Sequence, residues 1–291
     1  MLLQFIANGL VEGVVLGMFA LGFSIIYNSS RVFNFAQGGI FTVAGYIVYL
    51  SWKILNLPIG VGIMLAIIGA IGLGMLLERL IFYPLYRQQS SPAIVILSSL
   101  GSYLVIVNLI VLILGNETRV LRSGVEETLK LGGGILTKIQ VFGGCTALIL
   151  SVLTIILLRH TRFGITLRAL ADNSSLIAVL GLGIQRLRLL SFAWGSMLGG
   201  VAGVIAAFDV GIDPHVGGSA VLIGAVATIL GGIRVIEAAF FGGVIIGITK
   251  NLAAGHISAR WESAVTFFIL LIVLLLRPQG ILGKRGRLEE I

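Results

Sequence analysis

This chain is short of charge. Of its 291 residues only 11% are Asp, Glu, Lys or Arg, where a water-soluble domain carries roughly a quarter. With 57% of residues hydrophobic, that shortage excludes a soluble globular protein and leaves an integral membrane protein. A single cysteine, Cys145, excludes a disulfide within the chain. The three histidines, His160, His215 and His256, are scattered without ligand spacing, so no metal site is expected. No P-loop is present either. The nearest run, Pro278 to Arg285, lacks the first glycine and the final hydroxyl. No Ser/His/Asp or paired-Asp arrangement falls at depth, so no catalytic residue and no enzymatic activity are expected. The net charge is +8, but the surplus sits at the ends of apolar runs and in loops. The positive-inside rule explains that without a nucleic-acid partner.

What is there is a series of apolar runs that approach or cross a bilayer core. They lie at about 5–27, 32–50, 58–77, 92–114, 141–158, 189–208, 218–233, 235–254 and 263–276. This pattern predicts an all-α polytopic protein, one transmembrane domain over 1–291 with about 8–10 membrane helices, some of them broken. The start, MLLQFIANGLVEGVV, has no basic leader and carries Glu12 inside its apolar run, so it reads as a first span. The loop at about 159–188 holds Arg159, Arg162, Arg168, Arg186 and Arg188 against one acid, Asp172. Placing it in the cytoplasm puts the C-terminus inside and the N-terminus outside. Within it, Leu167, Leu170, Ala171, Ser174, Ile177, Ala178 and Gly181 form a small-residue helical stripe. The run Asp172-Asn173-Ser174-Ser175 is cap and turn chemistry, which predicts two short helices meeting at a corner. A solvated loop with a weakly amphipathic helix is the competing reading.

Two glycine-interrupted segments stand in corresponding halves. One contains Asn34, Phe35, Gln37, Gly38 and Gly39; the other contains Pro214, Gly217 and Gly218. They run in opposite directions, which predicts an inverted repeat with a translocation pathway between the halves. Ordinary helix packing through glycine is the alternative. The amides of Asn34 and Gln37 can bind a zwitterion or cap broken helix ends. Glu12 either lines a cavity or bonds a neighbouring helix, the latter being the plainer reading. Asn108, Lys250 and Asn251 read as span-end anchors or interhelical hydrogen bonders, and Glu78 and Arg79 as interfacial. Arg234 and Glu237 are spaced to pair with each other. Gly195, Gly199 and Gly203 repeat every four residues and favour close helix approach.

These residues together carry a resemblance. The chain resembles the Liv-type permeases of branched-chain amino acid ABC importers along nearly its whole length. The matching positions are Asn8-Gly9, Gly13, Ala20-Leu21-Gly22, Ile26-Tyr27 and Asn34-Phe35-Ala36-Gln37-Gly38. Glu78-Arg79, Tyr83-Pro84-Leu85, Arg87, Gly164, Arg168-Ala169, Asn173, Ala178, Gly181, Pro214, Leu230-Gly231-Gly232 and Arg277-Pro278-Gln279-Gly280 continue the series. The chain departs from the family where Gln37-Gly38-Gly39 replaces a usual His-Gly-Glu, and again at Arg234 and Glu237.

The resemblance implies a permease subunit in a bacterial inner membrane, moving branched-chain or other neutral, hydrophobic amino acids. It implies a coupling helix within Gly164 to Gly183, with Gly164, Arg168, Ala169, Asp172, Asn173, Ala178 and Gly181 toward the ATPase. Ala171, Ala178 and Gly181 would let it dock closely. The expected partners are two ATP-binding subunits, a second homologous permease and an extracytoplasmic binding protein. This chain itself needs no cofactor, ATP and Mg²⁺ being bound by the ATPases. Import of urea or short amides by the same architecture is the alternative, and a secondary transporter or channel a more distant one.

Overall fold

The computed structural model describes residues 2–121, 127–131, 134–172, 177, 183–256, 261–277 and 279–283. Along them run helices α1 (Leu2–Ser30), α2 (Ala36–Tyr49), α3 (Ile59–Leu77), α4 (Tyr83–Arg87), α5 (Pro92–Leu114) and α6 (Lys138–His160). They are followed by α7 (Arg162–Asp172), α8 (Ile184–Asp209), α9 (Val216–Gly231), α10 (Ala238–His256) and α11 (Glu262–Leu276). A π-helical turn, Leu50–Ile54, prolongs α2, and a second, Glu78–Phe82, joins α3 to α4. The strands among the described residues are β1 (Thr128–Leu131) and β2 (Gly134–Thr137). They form an antiparallel hairpin with Thr128 opposite Thr137. Thr137 and Gln140 then close a reciprocal cap on α6.

The protein is therefore all-α and polytopic. Each of the nine apolar runs falls on a helix. Six helical stretches among the described residues are long and apolar enough to cross a membrane: Leu2–Ser30, Ile59–Arg87, Pro92–Leu114, Lys138–His160, Ile184–Asp209 and Ala238–Gly255. The helices α2, α9 and α11, of 14, 16 and 15 residues, are shorter. A rise of about 1.5 Å per residue leaves each of them under about 25 Å, less than the hydrocarbon core.

The centre of the bundle is built on small residues. Helices α1 and α10 lie antiparallel in close contact: a methyl group added at Gly9, Gly13 or Gly17 would meet the backbone of Ile248, Val244 or Phe240. Further along, Gly22 of α1 meets Gly195 of α8. Helix α8 then runs beside α2, with Gly199 on Gln37 and Gly203 on Phe41, so the four-residue glycine repeat does admit close approach. Met18, Phe19, Leu21, Phe23 and Leu198 fill the space between these backbones.

One end of the bundle gathers the arginines of the α1–α2 turn, α4, the α6–α7 corner, the start of α8 and the α9–α10 turn. Here Glu78 departs from its expected interfacial position. It is 1% exposed and accepts from Arg188, Nε to Oε1 at 2.6 Å and Nη2 to Oε2 at 3.2 Å. The Arg188 guanidinium also lies 4.5 Å from the Tyr86 ring centroid. The register explains it: Gly74, one turn earlier, sits on Phe192 and Ser196 of α8, which carries Glu78 onto the same face opposite Arg188.

Candidate functional site

The two glycine-interrupted segments meet. The first turn of α2 lies against the first turn of α9, with Gly38 and Gly217 packed main chain on main chain. A Cβ on either would strike the other's carbonyl, so only glycine fits there. The N-terminus of α2, the positive end of its dipole, thus lies inside the protein, whereas His215 and Ser219 at the start of α9 are exposed. The Asn34 Oδ1 accepts from the Ala36 N–H at 3.1 Å, the capping role expected of it. Gln37 is fully buried and donates through Nε2 to the Gly195 carbonyl at 3.3 Å. The Asn34 Nδ2 and Gln37 Oε1 atoms are buried without a hydrogen-bond partner. The Phe35 N–H donates to Ser99 Oγ at 3.3 Å, Gly39 faces Ile106, and Gly218 faces the Tyr103 hydroxyl. Pro214 is buried in the turn that leads into α9.

Beside this crossing, toward the end at which α1 starts, lies a cavity of about 390 Å³. The Phe19 and Phe41 rings line it and meet edge to face, 5.6 Å apart. Ala202, Ile205, Ala220 and Ile223 add apolar wall. Polar groups gather where Glu12 of α1 faces α10. Its Oε1 accepts from Lys250 Nζ at 2.5 Å and its Oε2 from Asn251 Nδ2 at 2.6 Å. Asn8, Gln140, Asp209 and Ser219 complete the polar lining. The Glu12 and Lys250 side chains keep 38% and 21% of their surface accessible. Both readings of Glu12 hold at once, since the interhelical bond is itself part of a cavity wall.

This cluster is what sequence reasoning did not assemble. Glu12 and Lys250 are 238 residues apart, and nothing local says that α1 and α10 are neighbours. The signal available was the matched glycine spacing, Gly9, Gly13 and Gly17 on one run against Gly243 and Gly247 on the other.

At the arginine-rich end, α6 turns into α7. Gly164 is buried there against the Leu158 backbone, and its N–H donates to Thr161 Oγ1 at 3.3 Å. Leu167, Leu170 and Ala171 are buried, so the apolar stripe of α7 seats the helix on its own bundle. That corrects the expectation for Ala171, read as part of a docking stripe, because its position in the helix turns it inward with Leu167. Arg162, Ile165 and Arg168 are exposed and Ala169 is half-buried. Glu237, expected to pair with Arg234, instead accepts from Arg159, Nε to Oε1 at 3.0 Å and Nη2 to Oε2 at 2.7 Å. Arg168 Nη1 lies 3.8 Å from the same carboxylate. Tertiary packing brings α6 and α7 over the start of α10 and overrides the local spacing. Asp172 ends α7; Asn173, Ala178 and Gly181 lie outside the described residues.

A multi-pass helical protein with short helices meeting inside it and a polar cavity beside them is built as a membrane transport subunit. Over residues 5–274 the chain matches the family model described as branched-chain amino acid transport system / permease component, and it belongs to that family. It is 29% identical to the high-affinity branched-chain amino acid transport system permease protein LivH of Escherichia coli K12, covering 97% of this chain and 96% of that one. It is 27% identical, with the same coverage, to the permease protein BraD of Pseudomonas aeruginosa. Among solved structures, PsaBC from Streptococcus pneumoniae in complex with Fab superposes with a TM-score of 0.52 at 12% identity. That match covers 95% of this chain and 93% of the other, a likeness of fold.

Proposed function

We propose that this chain forms the translocation path of an ATP-driven importer for branched-chain or other neutral, hydrophobic amino acids. The observation that carries the reading is the cavity: lined by polar as well as aromatic and aliphatic side chains, and set against the meeting point of two short helices. The family membership supports the substrate class. The arginine-rich end faces the cytoplasm, as basic residues beside membrane spans do, and the cavity lies toward the extracytoplasmic side. The path runs past Asn34, Phe35, Gln37, Gly38 and Gly39 on one half and Pro214, Gly217 and Gly218 on the other. Two partner ATPases, which bind ATP and Mg²⁺, act on the α7 elbow through Arg168, Ala169 and the segment from Asp172 to Gly181. A second permease pairs with this one, and an extracytoplasmic receptor delivers the cargo. The membrane is the bacterial plasma membrane, with the N-terminus outside.

The test is uptake by vesicles carrying the whole importer with its receptor. Leucine, alanine, proline and urea are compared, in the native chain and in Ala178→Trp. Leucine uptake that falls about tenfold or more in a normally inserted Ala178→Trp, with ATP hydrolysis no longer stimulated by cargo, is expected. Urea uptake without leucine uptake overturns the substrate class, and unchanged coupling in Ala178→Trp overturns the elbow assignment.

A further inference from the structure

We infer that a basic pocket at the arginine-rich end, between the π-helical turn after α3 and the first turn of α8, binds the headgroup of an anionic phospholipid. The ligand is a phosphodiester carried on acyl chains, and the inference does not depend on which cargo the permease moves.

The argument begins with the donors. The pocket, of about 250 Å³, is bounded by Glu78, Arg79, Tyr83, Gln185, Arg186 and Leu189. Arg79, Gln185 and Arg186 are exposed and Tyr83 is half-buried. Among the described residues neither Arg79 nor Arg186 forms a salt bridge. The carboxylate in the lining, Glu78, is already held on both oxygens by Arg188. With Arg188 cancelling Glu78, the charges of Arg79 and Arg186 are left over. Their guanidinium forks, with the Tyr83 phenol and the Gln185 amide, supply the hydrogen-bond donors that phosphate oxygens accept from.

Depth decides what carries that phosphate. A rise of about 1.5 Å per residue takes the chain about 30 Å from Ile59 to Arg79, the thickness of a hydrocarbon core. Arg79 therefore stands at headgroup level, where an amphipathic ring such as that of Tyr83 is also at home. Arg186 is in the first turn of α8, just before the apolar run of that helix, and stands at the same boundary. Beside Arg79, Leu76 and Leu80 are 53% and 64% exposed, and on α8 Leu190 is 53% exposed. Acyl chains thus have apolar surface to lie on while the phosphate meets the arginines, a combination that basic pockets between membrane helices use to hold anionic headgroups. A free phosphate would leave that surface unused. The bound lipid bridges α3 and α8 beside the Glu78–Arg188 pair, so it adds to the same clamp.

The experiment titrates dioleoylphosphatidylglycerol into the delipidated, detergent-solubilised importer and follows its melting temperature. Dioleoylphosphatidylcholine and inorganic phosphate are the comparison arms. Phosphatidylglycerol is expected to raise the melting temperature at concentrations where the other two leave it unchanged. In Arg79→Gln/Arg186→Gln the concentration giving half the rise is expected to be about tenfold higher or more, through the loss of charge-assisted contacts. Arg79→Lys/Arg186→Lys should recover part of that loss. Arg87→Gln/Arg234→Gln removes the same charge from the same end outside the pocket, and is expected to shift it by less than about twofold. Each variant is read against its own lipid-free melt, and Arg186→Gln alone serves where the double variant does not assemble. Equal shifts in the pocket and control pairs overturn the site, and so does a phosphatidylcholine effect equal to that of phosphatidylglycerol. A rise reproduced by inorganic phosphate assigns the pocket to a free anion and overturns the lipid. An effect seen in the permease alone and lost in the assembled importer gives the pocket to a protein partner, and also overturns it.

Discussion

Two stretches of the molecule are matched in length and differ in fate. Leu2–Ser30 and Ile59–Arg87 each run 29 residues, with mean hydropathies of 2.0 and 2.4 over their best windows, yet those windows are 72% and 22% buried. Hydrophobicity therefore does not decide which helix is central, because lipid is as apolar as a protein core. Close backbone approach decides it. Along α1, Gly9, Gly13, Gly17 and Gly22 each meet the backbone of another helix, whereas in α3 only Gly74 comes that near a neighbouring backbone and Gly60 and Gly72 meet nothing within 4 Å. The outer helix turns Met64, Ile68, Leu76 and Leu80 outward, a face fit for lipid. Only at its arginine-rich end does it hold the bundle through a buried charge.

That last contact gives the largest expected effect. Arg188→Met leaves the Glu78 carboxylate buried and unpaired, and should lower stability by about 3–5 kcal/mol, seen as an early melting transition of the detergent-solubilised protein. Adding Glu78→Leu should recover most of it; no recovery would show that the pair does more than balance charge. Next, Gly13→Leu pushes a side chain onto Val244 backbone atoms that would lie 2.8–2.9 Å from its Cβ, and should cost about 3 kcal/mol. Glu237→Gln should change stability by less than about 1 kcal/mol, since its Arg159 partner is 60% exposed. It should nevertheless raise the ATP consumed per amino acid imported, because α6 and α7 lose their tie to the start of α10. Smallest of all, Gly72→Leu should melt within about 0.5 kcal/mol of the native protein. A large loss there would end the distinction between inner and outer helix.

Much of this fold was legible as text. The run at 92–114 coincides with α5, since Pro92 opens it and Gly115 closes it. By contrast α8 starts at Ile184, five residues before its apolar run, because Arg188 is neutralised by a residue 110 positions away. No local pattern carries such a partner. The glycine pairs could be read as points of close approach, but not as touching each other. Likewise the elbow could be read as a helix, while Ala171 turns inward with Leu167 as the helix seats on the bundle. The cavity was the least legible part, as its charges come from opposite ends of the chain.

Consider finally how Gly38 and Gly217 touch. A constriction made by side chains loosens when a torsion flips, on a nanosecond scale. Here the nearest atoms across the contact belong to peptide planes held by their own helices. Parting them requires the helices to travel, and with them everything each one carries. If the proposed path closes at this contact, it opens by a motion of whole helices and not by the flip of a side chain.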